Sequence, residues 1–218
     1  MSFLGLGKQR EVTYNNGTVT NKDGPAYGGK VKGFLKQAVS AINETAGGKE
    51  GANMVNEIQN STSTITVVKS NEGNSYEPGT NTLKFDPSSR EGGVNTTGSR
   101  DRPVFLELAH EMAHGLDDIS GTLNMAPIPG QNFTYAEQFA THMENQIRAE
   151  HLLPLRQCYA VDPTGARVYP LINNAGQSLF YNNYDYYRAI QSQGVIAPLP
   201  TVTAPLINAI PTINIKIR

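Results

Sequence analysis

The stretch from Pro103 to Leu116, PVFLELAHEMAHGL, is apolar along most of its length, yet it carries His110, Glu111 and His114. Its apolar content and length favour a helix that starts at Pro103, where a missing N–H costs nothing. Two histidines four apart lie one turn above each other on one helical face. Both imidazoles can then reach one ion, typically zinc at about 2.0–2.1 Å from nitrogen. Glu111 stands about 100° around the helix from His110 and so faces the open side of such an ion. There it can take a proton from water as a general base. Its apolar neighbours, Leu108, Ala109, Met112 and Ala113, argue against a merely solvated glutamate. The pattern H-E-x-x-H therefore predicts a zinc-dependent hydrolase, foremost a peptidase.

A catalytic zinc takes three protein ligands and keeps one position open. With His110 and His114 as two of them, Glu137 is the first candidate for the third. It lies 23 residues after His114, at the start of a second helix from about Thr134 to His151. Thr134 with Glu137 forms a capping-box pattern, and Pro154 closes that helix. Glu144, two turns further on, is an alternative ligand, or an outer partner that pairs with Arg148 at i+4. Asp118, one turn past His114, is a second alternative. Asp117 or Asp118 fits better as the partner that orients a ligand imidazole. The longer pattern with a third histidine is absent, because Asp117 and Ser120 occupy its glycine and histidine positions. His142 reads as a packing residue. Tyr181, Tyr184, Tyr186 and Tyr187 are candidate donors to an oxyanion, although packing is the commoner role for any one tyrosine.

A chain of 218 residues is expected to form one domain over residues 1–218, with its core at about 30–156 and an accessory segment at 157–218. A single cysteine, Cys158, excludes an internal disulfide and a cysteine-ligated zinc. The net charge of −1 gives no footprint for nucleic acid or an anionic membrane. No apolar run approaches the roughly 18 residues of a membrane span. The opening MSFLGLGKQR lacks the apolar core of a cleavable signal peptide.

Along the chain, EVTY and TVT flank Asn15-Asn16-Gly17, a hairpin pattern. Val31, Phe34, Leu35, Ala38, Val39 and Ile42 recur at helical spacing up to Gly47-Gly48. A shorter helix around Met54 to Ile58 follows. STITVVKS and NTLKFDP alternate like strands across the polar turn NEGNSYEPG. CYAV and ARVY flank a second hairpin turn at Asp162 to Gly165. A short helix is expected from Asp185 to Ser192, then an extended proline-containing tail, then a final strand in INIKIR. Strands and helices without strict alternation predict an α+β fold. Zinc peptidases of the HExxH type share that zincin-like plan: a small, mostly antiparallel sheet packs on the metal helix, and a second helix brings the last ligand. NTLKFDP is the candidate edge strand that would hold a peptide.

NTLKFDP, RPVFLELAHEMAHGLDDISG and YAEQFATHMENQIRAEHLLPLR together resemble one family of effector metallopeptidases. Its members occur as bacterial type III effectors and as C-terminal toxin modules of RHS-repeat proteins. The resemblance covers roughly residues 64 to 156. The run Glu144-Asn145-Gln146-Ile147-Arg148 makes it more specific than HEMAH alone. It implies a gluzincin-type zinc endopeptidase with His110, His114 and a downstream glutamate on the metal. It also implies secretion or injection, and a polypeptide substrate in a target cell. Two other classes compete: a zincin-like module that binds a partner without cutting it, and a metal-free structural domain with an accidental motif.

Overall fold

A computed structural model describes residues 10–21, 27–90, 92–192 and 213–217. The N-terminal residues 1–9 and most of the proline-containing tail lie outside the described residues. Among the described residues the architecture is α+β, with five helices, a mixed six-stranded sheet and a two-stranded one.

The hairpin is β1 (Arg10–Asn15) and β2 (Thr18–Asn21). Asn16 and Gly17 take positive φ of 45° and 79°, as a tight two-residue turn requires. Helix α1 (Gly33–Thr45) buries Leu35, Ala38, Ala41 and Ile42 along one face. Helix α2 (Lys49–Asn60) is longer than the expected Met54 to Ile58. Its N-terminus is capped from far away: the Glu50 amide donates to both Glu150 carboxylate oxygens at 2.9 and 3.1 Å.

Strands β3 (Ile65–Lys69), β4 (Ser75–Glu77) and β5 (Thr82–Phe85) follow. The segment that reads as a polar turn thus contains a short strand, which pairs antiparallel with β5. NTLKFDP is consequently not the edge. β5 lies between β3 and β4, with Leu83 and Phe85 buried, and β4 is the edge strand on this side of the sheet. Its half-buried residues and its length of three suit an edge, where long exposed apolar strands invite aggregation.

Two helices carry the centre of the molecule. Helix α3 (Val104–Ile119) is buried from Phe105 to Asp117. It ends in a left-handed residue, Gly121 at φ 72°, whose amide returns to the Asp118 carbonyl at 2.9 Å. Gly115 lets α3 lie close against the sheet, since a Cβ there would sit 2.5 Å from Ile65 Cδ1. Helix α4 (Tyr135–Glu150) packs on α3. Beyond it lie the hairpin β6 (Cys158–Val161) and β7 (Arg167–Pro170), then α5 (Tyr186–Ser192). These elements cover a smaller apolar cluster that includes Phe133, Leu155, Leu171 and Tyr186.

The last strand, β8 (Ile213–Ile217), inserts between β1 and β3, antiparallel to the first and parallel to the second. Within the six-stranded sheet, three of the five strand pairings are antiparallel and two are parallel. Buried Thr13 donates to Asn214 at 3.0 Å, and Asn214 donates to Glu11 at 2.8 Å, which fixes the β1–β8 register. The principal core includes Val12, Tyr14, Ile213 and Ile215, so it extends past residues 30–156 at both ends. Among the described residues, no helix is long and apolar enough to cross a membrane.

Candidate metal centre

His110 and His114 sit one turn apart on α3, and Glu137 lies in the first turn of α4. Both imidazoles meet its carboxylate. His110 Nε2 lies 3.0 Å from Oε2, and His114 Nε2 lies 3.4 Å from Oε1. One ligand atom from each residue falls within 4.8 Å of the other two, close enough to hold one ion. Thr134 places the glutamate by accepting its backbone N–H at 3.2 Å. A full capping box would turn the Glu137 carboxylate back to the Thr134 amide. Here it faces the imidazoles instead.

Glu144 lies on the other side of His110. Its Oε2 is 3.3 Å from His110 Nδ1, in ion-pair range but short of hydrogen-bond alignment. Its two oxygens accept from three buried arginines: Arg102 at 2.8 Å, Arg148 at 2.8 Å and Arg156 at 2.9 Å. Arg102 also donates to Glu107 at 3.0 Å. Burial alone would raise the Glu144 pKa, but the guanidiniums hold it well below the usual carboxylate range. Glu137 behaves similarly: the two imidazoles outweigh burial and keep its pKa far down. Burial and Arg102 act to lower the His110 pKa, while its carboxylate partners bring the net shift upward.

Neither aspartate bonds His110 or His114. Asp117 Oδ1 accepts from Thr122 Oγ1 at 2.6 Å, and Asp118 Oδ2 accepts from the Tyr76 hydroxyl at 2.8 Å. They secure the end of α3 to the following loop and to β4. The partner beside His110 is Glu144, which is also the i+4 partner of Arg148.

Glu111 is buried and lines a cleft together with His114 and Glu137. Asn74, Ser75 and Tyr76, at and beside the edge strand, form one wall, and Leu123 and Met125 form another. The site therefore combines two imidazoles, a convergent carboxylate, a second carboxylate in the same cleft and an adjacent strand edge. Such a donor set suits a divalent cation.

Sequence reasoning missed Arg102, Glu107, Arg156 and Tyr159. No local pattern marks them, because their partners lie on other elements. Tyr159 lies on β6. Its ring stacks on Phe133 at 4.9 Å. Burial raises its pKa to about 12, aided by the negative charge of Glu137 and opposed by Arg156.

Of the four tyrosines offered as oxyanion donors, Tyr181, Tyr184 and Tyr186 gather around His142, as packing residues would, and Tyr187 is exposed. The His142 ring stacks on Tyr181 at 3.9 Å, and its Nδ1 shares a hydrogen bond with the Tyr186 hydroxyl at 2.8 Å. Burial lowers the His142 pKa to about 4. The unfolded chain binds this proton near pH 6.5 and the folded protein only near pH 4, so stability falls as pH drops through that window. The loss should reach about 3 kcal/mol by pH 4. Urea unfolding across the window, compared with His142→Gln, should show a flatter slope in the variant. Equal slopes would mean that His142 is not the source.

The family model of peptidase M91, described as effector protein, matches residues 21–138. That span contains His110, Glu111, His114 and Glu137, and it ends before Glu144, Arg156 and Tyr159. No curated protein matches the chain, and no solved structure does.

Proposed function

Since the chain belongs to the peptidase M91 effector protein family, we propose that it is a zinc endopeptidase of the gluzincin kind, delivered into a target cell to cut a protein there. It would travel as cargo of a secretion apparatus or as part of a larger toxin. In this reading the chain forms a single zincin-like domain. His110, His114 and Glu137 are the metal ligands, and Glu111 is the general base. The observation that carries the reading is the convergence of both Nε2 atoms on Glu137, with Glu111 in the same cleft.

Two imidazole nitrogens and one carboxylate match a catalytic zinc set that keeps a position open. Bound there, zinc would polarise the scissile carbonyl and ease the deprotonation of water. Glu111 would take a proton from the water that attacks the carbonyl carbon, and pass it to the amine as the C–N bond breaks. Glu144, pinned by three arginines, would hold the His110 ring in place. The outer edge of β4 would pair with an extended substrate segment, since Ser75 and Tyr76 line the same cleft as Glu111.

Zinc content and proteolysis in wild type and Glu137→Ala test this assignment together. The variant should bind zinc more weakly by more than the roughly 10–100-fold typical of losing an outer partner. New protein termini in treated lysate should vanish with the metal. Unchanged zinc affinity would remove Glu137 from the ligand set.

A further inference from the structure

We propose that Asn74 and Tyr76 are positioning residues, which brace the edge strand β4 against α3 and so fix which peptide bond of an extended substrate meets the metal centre. The inference rests on the endopeptidase reading, in which the outer edge of β4 holds the substrate.

The brace has two ties. At the start of β4, the Asn74 side-chain amide donates to Glu107 Oε2 at 3.0 Å, and its carbonyl oxygen accepts the Asp86 amide at 2.7 Å, just past β5. Two residues on, the Tyr76 hydroxyl donates to Asp118 at 2.8 Å. The Tyr76 ring lies against the helix backbone: a Cβ added to Gly115, next to His114, would sit 3.2 Å from Tyr76 Cε2. Glu107 and Asp118 stand eleven residues apart on α3. That is roughly 16 Å along the axis. His110, Glu111 and His114 fall between them. The five residues occupy positions i, i+3, i+4, i+7 and i+11, so the ties and the motif share one helical face.

Glu107 is itself held. Arg102 donates to it at 3.0 Å and to Glu144 at 2.8 Å, and Glu144 stands beside His110. Asn74 therefore ends a run of contacts that begins at the ring of a proposed ligand. Asn74, Ser75 and Tyr76 line the cleft with Glu111 and His114. β4 has only three residues and pairs on one side alone, with β5. A strand that short draws little register from its own ladder. An extended substrate would bond its main chain, so the place of the scissile carbonyl depends on where β4 stands beside α3. A shift of about 1 Å there costs about 100-fold in rate.

Tyr76→Phe and Asn74→Asp test the ties separately in the full zinc-loaded chain. Phenylalanine keeps the ring on Gly115 and loses the bond to Asp118. Aspartate keeps the acceptor for the Asp86 amide and loses the donor to Glu107. On a peptide copied from a cleavage site mapped in treated lysate, each should lower kcat by about 10-fold and the pair by about 100-fold, with KM and zinc content unchanged. Mass spectrometry of the products should show cuts at neighbouring bonds in the variants and at one bond in wild type. Adding Glu107→Gln to Asn74→Asp sets an amide opposite an acid again, in reversed order, and should recover most of the rate and the single bond. A generally loosened fold would not respond to that exchange. Trialanine hydroxamate must grip the metal and pair with β4 at once, so it should bind each variant about 10-fold more weakly. Acetohydroxamate meets the metal alone and should bind all of them alike. Unchanged kcat, an unchanged single bond and equal trialanine hydroxamate affinity would overturn the brace. Lost zinc in Tyr76→Phe would also overturn it, by making the tie a support of the metal site rather than of the strand. Absent cleavage by the wild type would instead sink the endopeptidase reading, and the two hydroxamates would still decide the brace.

Discussion

Glu111→Gln is expected to lower kcat by about 10²–10⁴-fold while leaving bound zinc and the fold intact. The amide nearly matches the carboxylate in size, so the packing around this buried residue should persist. It cannot accept the proton of the attacking water, and that loss falls on the transition state rather than on binding. KM should therefore change little. His110, His114 and Glu137 remain, so the metal site should still load. A decisive comparison places turnover beside zinc content in the same preparations. A variant that cuts as fast as wild type would remove Glu111 from the mechanism. A variant that loses both zinc and activity would show that Glu111 supports the site structurally.

Glu144→Ala should be the most destabilising single change in the centre, by about 3–5 kcal/mol. Glu144 is fully buried and balances Arg102, Arg148 and Arg156. Removing it leaves guanidiniums in the interior with fewer counter-charges, since Glu107 pairs only with Arg102 among them. Desolvation of the stranded cations, rather than the lost attraction itself, supplies most of the cost. The same change removes the carboxylate beside His110 Nδ1, so zinc should bind roughly 10–100-fold more weakly. Denaturant unfolding of the metal-free and zinc-loaded forms separates the two effects. A loss below about 1 kcal/mol in the metal-free form would mean that water or rearranged partners compensate the arginines.

The site was legible where its chemistry is local. His110, Glu111 and His114 share one helix, and their spacing alone sets their relative directions. Glu137 could be nominated because its helix carries a cap signal at Thr134, which indeed accepts the Glu137 amide. Asp117 and Asp118 misled because position on a helix does not reveal what lies opposite. Thr122 and Tyr76 claim them from a loop and a strand. Arg102, Arg156 and Tyr159 were invisible for the same reason. Glu144 joins Arg102 across 42 residues, and no periodicity encodes such a contact.

In the fold, elements with strong local patterns emerged, including the first hairpin, α1, α3 and α4. β4 hid inside a polar segment because strand pairing with β5, rather than side-chain alternation, makes it a strand. The start of α2 hid because its cap, Glu150, comes from 100 residues further along. Order within the sheet was equally hidden. Short apolar strands say that they will pair, and the choice of neighbour depends on tertiary packing.

The placement of β8 governs when this sheet can exist. The pair Thr13 and Asn214 joins points 201 residues apart. During synthesis the first hairpin must wait for the 201 residues that separate this pair. Until residues 213–217 arrive, nothing spans the gap between β1 and β3. Sheet closure therefore follows synthesis of residues 213–217, and a nascent chain carries α3 well before the scaffold behind it is complete.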